Sequence, residues 1–309
     1  MAKNVKTILA ALDLAAGSDA VLVRAIQLAT AHAARLHVLH VIEAEPLSHV
    51  AALSDRSEND LRNELKRHAL SMIETLLIEN GRTRRTKVNI EFGAPHAIVT
   101  HVAGERGADV IVIGPGKGHS LKEKVLGSTA DRVIRTAAAS ILVVRRESAE
   151  PYRQVVAAVD FSPQSATAAK EARKLFPEAA MQLVHAVDTP LTLEQAMLRS
   201  GTSQIEMQRY RSAKTEKAGL ELSTFAHDVF GAGKVVARVV EGEPSSTLVH
   251  LSRDHHVDLV AVGTHGRGVV LQALLGSVAQ KVLKEAGCDV LIASNQQSLA
   301  ARKVQSTAS

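Results

Sequence analysis

Val257-Asp258-Leu259-Val260-Ala261-Val262-Gly263 is a short apolar run led by an aspartate and closed by a glycine. Its double, Ala108-Asp109-Val110-Ile111-Val112-Ile113-Gly114, stands 149 residues earlier. Other landmarks keep that offset: Gly93 and Pro95 return as Gly242 and Pro244, and Leu126-Gly127-Ser128 returns as Leu275-Gly276-Ser277. Near the start, Leu12-Asp13 returns as Val159-Asp160 at an offset of 147, so the halves differ only by small loop changes. A period of this length is a duplicated domain. The expected domains are residues 1–148 and 151–296, joined at the polar Glu147-Ser148-Ala149-Glu150-Pro151, with 297–309 as a flexible tail.

Within each half, apolar runs alternate with helical patterns. Strands are expected over 7–12, 37–42, 87–92, 110–113 and 141–144, and again over 155–159, 181–187, 234–240, 259–262 and 290–293. Helices are expected over 18–36, up to about Gly81, over 97–106 and over 129–138 in the first half. In the second they fall over 165–176, through one long middle segment, and over 247–253 and 278–286. The first of them carries Leu22, Ile26, Ala29 and Ala33 at the three-and-four spacing of a helix face. Ser162-Pro163 offers a capping hydroxyl followed by a proline suited to a first helical position. Short, continuously apolar strands between helices indicate a parallel sheet covered on both faces. The fold class is therefore α/β: two tandem open sandwiches, each with a five-stranded parallel sheet and helices on both faces. The last strands would lie at sheet edges, which predicts that the halves pack as a pseudo-dimer. Further association into a homodimer stays open.

Composition narrows the function. With 46% hydrophobic residues the 309-residue chain can bury cores, and with five Phe, two Tyr and no Trp those cores must be aliphatic. So few rings exclude an aromatic stacking platform for single-stranded nucleic acid. The lone Cys288 excludes an internal disulfide and a Cys-rich zinc site, and it reads as a small buried or half-buried side chain. Lys and Arg exceed Asp and Glu by five, and the densest run, Arg82-Thr83-Arg84-Arg85-Thr86-Lys87, falls between helix and strand patterns as a solvated turn. No nucleic-acid partner is expected. No apolar stretch approaches the ~20 residues of a membrane span, and the start lacks a signal-peptide pattern, so no membrane association and a cytoplasmic location are expected.

Open parallel sheets bind ligands beyond the carboxyl ends of their strands, where the winding reverses. In the second half those ends carry Asp160 and Gly263-Thr264-His265-Gly266, followed by Gly276-Ser277 directly before a helix. Glycines allow tight turns and close approach, a helix N-terminus attracts phosphate, and a carboxylate can accept from ribose hydroxyls. Together these suit a nucleotide, with no residue placed to make or break a bond.

On the spacing from Gly263 through Gly266 to Gly276-Ser277, the sequence resembles the universal stress protein family, in its ATP-binding branch and tandem two-domain form. The resemblance covers residues 5–146 and 153–294. It implies that Asp160, with the backbone near Val159 and Ala186, holds adenine and ribose, and that Gly263, Gly266, Gly276, Ser277 and Val278 hold phosphates, with His265 inside the loop. The implied ligand is ATP, or AMP or ADP, with or without Mg. The implied role is that of a regulatory, cytoplasmic stress-response protein read by an unidentified protein partner. A slow Mg-dependent ATPase and a nucleotide-independent scaffold are the alternatives. The first half keeps Asp13, Gly114, Gly127 and Ser128 but has Lys117 where the second glycine belongs, so its site is expected to be blocked or weakened.

Other chemistries fit less well. Gly114-Pro115-Gly116-Lys117-Gly118-His119-Ser120 lacks the Gly-Lys-Ser/Thr ending of a Walker loop and follows the fourth strand, and no dinucleotide fingerprint opens the first helix. His255-His256 would point apart in a strand, but they lie in a polar turn before Asp258, so they read as surface histidines and no metal ligand is assigned. His37 and His40 are expected to pack or hydrogen-bond locally. Ser128 and Ser277 are read as helix caps that also contact phosphate.

Overall fold

The computed structural model describes residues 5–15, 17–44, 56–116, 126–148, 150–233, 235–266 and 275–294. Lys117 and the tail 297–309 lie outside the described residues. The chain divides into two compact units at Pro151 and Tyr152, the second running to Ala293.

The first unit contains β1 (Thr7–Leu12), α1 (Ser18–Ala31), β2 (Arg35–Ile42), α2 (Glu58–Asn80), β3 (Thr86–Phe92), α3 (Pro95–Arg106), β4 (Val110–Ile113), α4 (Ser128–Thr136) and β5 (Ser140–Val143). Its strands run parallel in the order β3-β2-β1-β4-β5. The second unit contains β6 (Gln154–Ala158), α5 (Pro163–Leu175), β7 (Ala180–Val187), α6 (Leu191–Arg199), α7 (Gln204–Phe230), β8 (Val236–Glu241), α8 (Pro244–Ser252), β9 (Leu259–Gly263), α9 (Ser277–Glu285) and β10 (Asp289–Ala293). Here the parallel order is β8-β7-β6-β9-β10. In both, the fourth strand returns beside the first instead of extending beyond the third. With right-handed crossovers this reversal divides the helices between two faces, α1 packing on α2 and α3 on α4, as α5 packs on α7 and α8 on α9.

The cores are aliphatic. Ile8, Leu9, Ile111 and Leu142 are fully buried in the first unit, and Val155, Leu183, Val260 and Leu291 in the second. One carboxylate per unit sets the sheet's lower edge. Asp109 Oδ2 accepts from the amides of Lys6 and Thr7 at 2.7 and 3.0 Å, and Asp258 Oδ2 accepts from Arg153 and Gln154 at 2.7 and 2.9 Å. The residue before the fourth strand thus ties down the foot of the first.

Two expected helices differ from the structure. The helix over 18–36 stops at Ala31, because Ala33 turns to a positive φ of 50° and the Arg35 amide joins the sheet by donating to Lys6 O at 2.8 Å. The single long helix of the second half is two, α6 and α7. Gly201 at φ 89° breaks it, and Ser203 with Glu206 forms a reciprocal capping box that starts α7. Ser162 caps α5 through the Ser165 amide at 3.1 Å. Among the described residues no helix is long and apolar enough to cross a membrane.

Replacing Asp258 by alanine removes two charge-assisted hydrogen bonds and is expected to cost ~1.5–3 kcal/mol of stability, read from urea unfolding. An unchanged midpoint would show that the clamp is incidental to the fold.

Candidate functional site

Beyond the carboxyl ends of β6 and β9 lies a cavity of about 310 Å³. Val159, Asp160, Ala186, Gly263, His265, Gly266, Gly276, Ser277 and Val278 all line it. Residues spread over 120 positions of sequence therefore meet at one crevice, at the strand reversal. Ser165, His185, Pro244 and Leu248 also line it without having been singled out. Pro244 was legible as part of the repeated Gly-x-Pro landmark, but nothing in the sequence says that its helix forms a wall.

Asp160 is shaped by the turn that follows β6. Its Oδ1 accepts from the Ser162 amide at 3.0 Å and the Ser162 hydroxyl at 2.5 Å. Phe161 between them takes a positive φ of 64°, a strained setting for a side chain with a Cβ. The Phe161 ring stacks on His185 at 4.4 Å, and His185 Nδ1 donates to Val159 O at 2.7 Å. Because the Val159 amide also donates to Val184 O at 2.8 Å, the Val159 backbone is engaged within the sheet. Val159 therefore supplies a wall more than a hydrogen-bonding edge.

The glycines of the loop do different work. A Cβ on Gly263 would lie 2.9 Å from the Gln164 carbonyl carbon, so its bareness lets β9 pack against α5. A Cβ on Gly266 would lie 2.8 Å from Asp160 Oδ2, so the open space there belongs to the carboxylate. The Gly276 amide donates to Thr264 O at 2.8 Å, which sets Gly276 itself as the N-cap of α9. Ser277 is thus the first helical residue and not the cap; likewise Gly127, with its amide on Pro115 O at 2.7 Å, displaces Ser128 from the cap of α4. A glycine cap has no side chain to satisfy the first amides of the helix, so these donors stay available at the cavity.

The other two helix starts at the cavity are capped from within. Ser162 serves α5, and Glu243 serves α8 by accepting from the amides of Ser245 and Ser246 at 2.9 and 2.8 Å. Burial alone would raise the Glu243 carboxyl, but hydrogen bonds from Ser246 and Ser245 outweigh it and bring its pKa down to about 2. Of these three helices, α9 alone is left to find its acceptors outside itself. His265 Nδ1 lies 3.0 Å from Thr264 Oγ1, and its buried Nε2 has no partner among the described residues.

The first unit has the corresponding cavity, about 230 Å³, lined by Asp13, Glu43, Gly114, Gly127 and Ser128 among others. Asp13 Oδ1 holds the Ala15 amide at 3.1 Å and the Ser18 hydroxyl at 2.9 Å, Leu14 takes φ 56°, and His40 Nδ1 donates to Leu12 O at 2.8 Å. The glycine contacts differ: among the described residues a Cβ on Gly114 would meet only Val21, at 3.5 Å, whereas Gly116, at φ 114°, approaches Gly127 so closely that a Cβ would lie 3.0 Å from its Cα. Away from the cavities, His37 is buried; desolvation and then the nearby Arg106, Lys87 and Arg35 push its pKa down. His255 and His256 stand in the expected turn, between α8 and β9, and their rings lie on one side with centroids 3.8 Å apart.

Comparison with known proteins covers most of the chain. The family model described as the Universal stress protein family matches residues 4–145 and again 151–294. A universal stress protein of Mycolicibacterium smegmatis is 26% identical over 292 residues, covering 92% of this chain and 96% of that protein. Universal stress protein G of Shigella flexneri is 34% identical over 113 residues, covering 36% of this chain and 77% of its own. The crystal structure of a universal stress protein from Archaeoglobus fulgidus has a TM-score of 0.64 at 18% identity, covering 93% of this chain and 98% of that one, which is a likeness of fold.

The glycine contacts separate stability from binding. Gly263→Ala must move α5 and is expected to cost ~1–3 kcal/mol in denaturant unfolding, whereas Gly266→Ala displaces only a carboxylate and should leave the midpoint nearly unchanged. Equal losses in both would dissolve the distinction. For Glu243 the depressed pKa means that its cap stabilises fully above about pH 4.5 and is lost as pH falls towards about 2. The stability gap between the native chain and Glu243→Gln should therefore narrow across that window in urea titrations; a constant gap would remove the capping role.

Proposed function

The chain belongs to the universal stress protein family, and on that footing we propose that it is a regulatory nucleotide-binding protein whose second half holds an adenine nucleotide, ATP before AMP or ADP. One observation carries the reading: the uncapped start of α9 and the carboxylate of Asp160 face the same cavity. The donor set suits the two ends of such a ligand. Phosphate oxygens would take the amides of Ser277 and Val278, where helix-terminal donors and the macrodipole favour negative charge. Ribose hydroxyls would donate to Asp160 Oδ2, the oxygen facing Gly266. Val159, Ala186 and His185 would wall the base, and the volume lies within the ~300–1,000 Å³ range of small-molecule sites.

Binding is favoured over hydrolysis. Asp160 is the one carboxylate among the described residues lining this cavity, and half of it already holds Ser162. It cannot both ligate a magnesium ion and activate a water while keeping its turn. Occupancy instead acts by linkage: a ligand at ~100 times its dissociation constant adds ~2.7 kcal/mol to the bound conformation, which a cytoplasmic protein partner can then read.

The first half is proposed as the weaker site. The position equivalent to Gly266 is Lys117, and in the second half even a Cβ at this position contacts the aspartate. A lysine there would set its bulk against Asp13.

Titration calorimetry with ATP should give one site per native chain. Asp160→Ala should weaken it ~10–100-fold, the cost of a charge-assisted hydrogen bond. Gly266→Lys should abolish it, and Lys117→Gly should raise the stoichiometry to two. No binding by the native chain, or undiminished binding in Asp160→Ala, overturns the proposal.

A further inference from the structure

The turn that joins α8 to β9 carries a second group of chemically capable side chains, at the opposite end of β9 from the loop residues of the cavity. Asp254, His255 and His256 are all exposed, and one ligand atom from each lies within 4.8 Å of the others. The backbone fixes the turn. Asp254 Oδ1 accepts from the His256 amide at 2.9 Å, the Val257 amide donates to Asp254 O at 3.0 Å, and the Asp254 amide donates to Leu251 O at 3.1 Å. This closed turn makes consecutive histidines project to one side, with ring centroids 3.8 Å apart and His255 Nδ1 3.6 Å from Asp254 Oδ1.

The duplication supplies an internal control. An offset of 149 places His101, Glu105, Arg106 and Gly107 at the positions of His250, Asp254, His255 and His256. In the first half the acid is answered by its own neighbour, since Arg106 Nη2 lies 3.7 Å from Glu105 Oε1. The second half keeps the histidine on the helix and the acid after it, but replaces that permanent cation with two imidazoles. Imidazoles beside a carboxylate can accept a cation that arginine would exclude.

We propose that Asp254, His255 and His256 form a surface site for one divalent transition-metal ion. Two imidazoles and one carboxylate make a borderline donor set, which suits Zn(II), Ni(II) and above all Cu(II), and does not suit the all-oxygen preference of Mg(II) or Ca(II). Around an ion with ligand bonds near 2.1 Å, neighbouring donors stand about 3.4 Å apart. The present spread of 4.8 Å closes to that by small side-chain rotations, which exposed side chains make at little cost. His250 is one helical turn earlier on α8 and is exposed on the same element, available as a fourth donor. Three ligands from one short turn leave coordination positions open to water.

The test uses the full chain, stripped of metal and nucleotide, titrated with Zn(II) and separately with Cu(II) against a chromophoric chelator. One saturable ion per chain is expected, with Cu(II) held more tightly than Zn(II). His255→Ala and His256→Ala should each weaken it at least tenfold, and His255→Arg, which copies the first half, should abolish it. His101→Ala should leave it unchanged. The electron paramagnetic resonance spectrum of the Cu(II)-loaded native chain should show coupling to imidazole nitrogens, a readout that depends on no variant. Many weak equivalent sites, or a tight site indifferent to the His255 and His256 variants, overturns the proposal.

Discussion

In each half the first strand lies hydrogen-bonded beside the fourth, and an aspartate at the foot of the fourth accepts from two consecutive amides at the foot of the first. That contact fixes register, and register is unforgiving: a slip of one residue would turn every side chain to the opposite face. With Ala157 paired to Ala261, the chain leaves the sheet at Asp160 and at Thr264 side by side. The crevice, its carboxylate and its glycine loop all descend from this alignment. So does the burial of both faces, because a fourth strand that doubles back divides the helices between them.

The two halves repeat their local devices where the chain leaves the first strand. An aspartate holds the next turn through Oδ1, the following residue accepts a left-handed backbone although it carries a side chain, and a histidine from the second strand donates to the carbonyl before the aspartate. Strain of this kind costs ~1–3 kcal/mol and persists only where the surroundings dictate it. Its recurrence in both units ties it to the position of the carboxylate. The halves diverge in how they close the crevice. The second packs Gly263 on α5 and leaves room at Gly266 for Asp160, while the first brings Gly116 against Gly127. The same economy holds just before the fourth strand, where Arg106 answers Glu105 in one half and imidazoles stand beside Asp254 in the other.

Much of this was legible because some signals are local. Continuous apolar strands such as Val110–Ile113 announce double-sided burial, Ser162-Pro163 announces a helix start, and a glycine pattern preceding a helix announces an anion-friendly turn. The break between α6 and α7 is equally local: residues 199–204 carry no apolar side chain, and Gly201 with Ser203 and Glu206 marks one helix end and the next helix start. The caps at Gly127 and Gly276 were less accessible. Serine is the better capping residue by propensity, but amide bonds to Pro115 and Thr264 across the loop place the glycine at the cap instead.

The sequence by itself determined that the chain is a duplicated α/β domain, with Asp160 and the glycines of 263–276 at strand ends, because periodicity, duplication and turn chemistry are properties of neighbouring residues and of copies. Only the tertiary structure decided which of those glycines serves packing and which makes room for a carboxylate, that His185 and α8 wall the crevice, and that His255 and His256 point the same way. The first two depend on which distant atoms stand within about 3 Å, and the last on how the hydrogen bonds of one turn aim its side chains; a one-dimensional pattern carries neither.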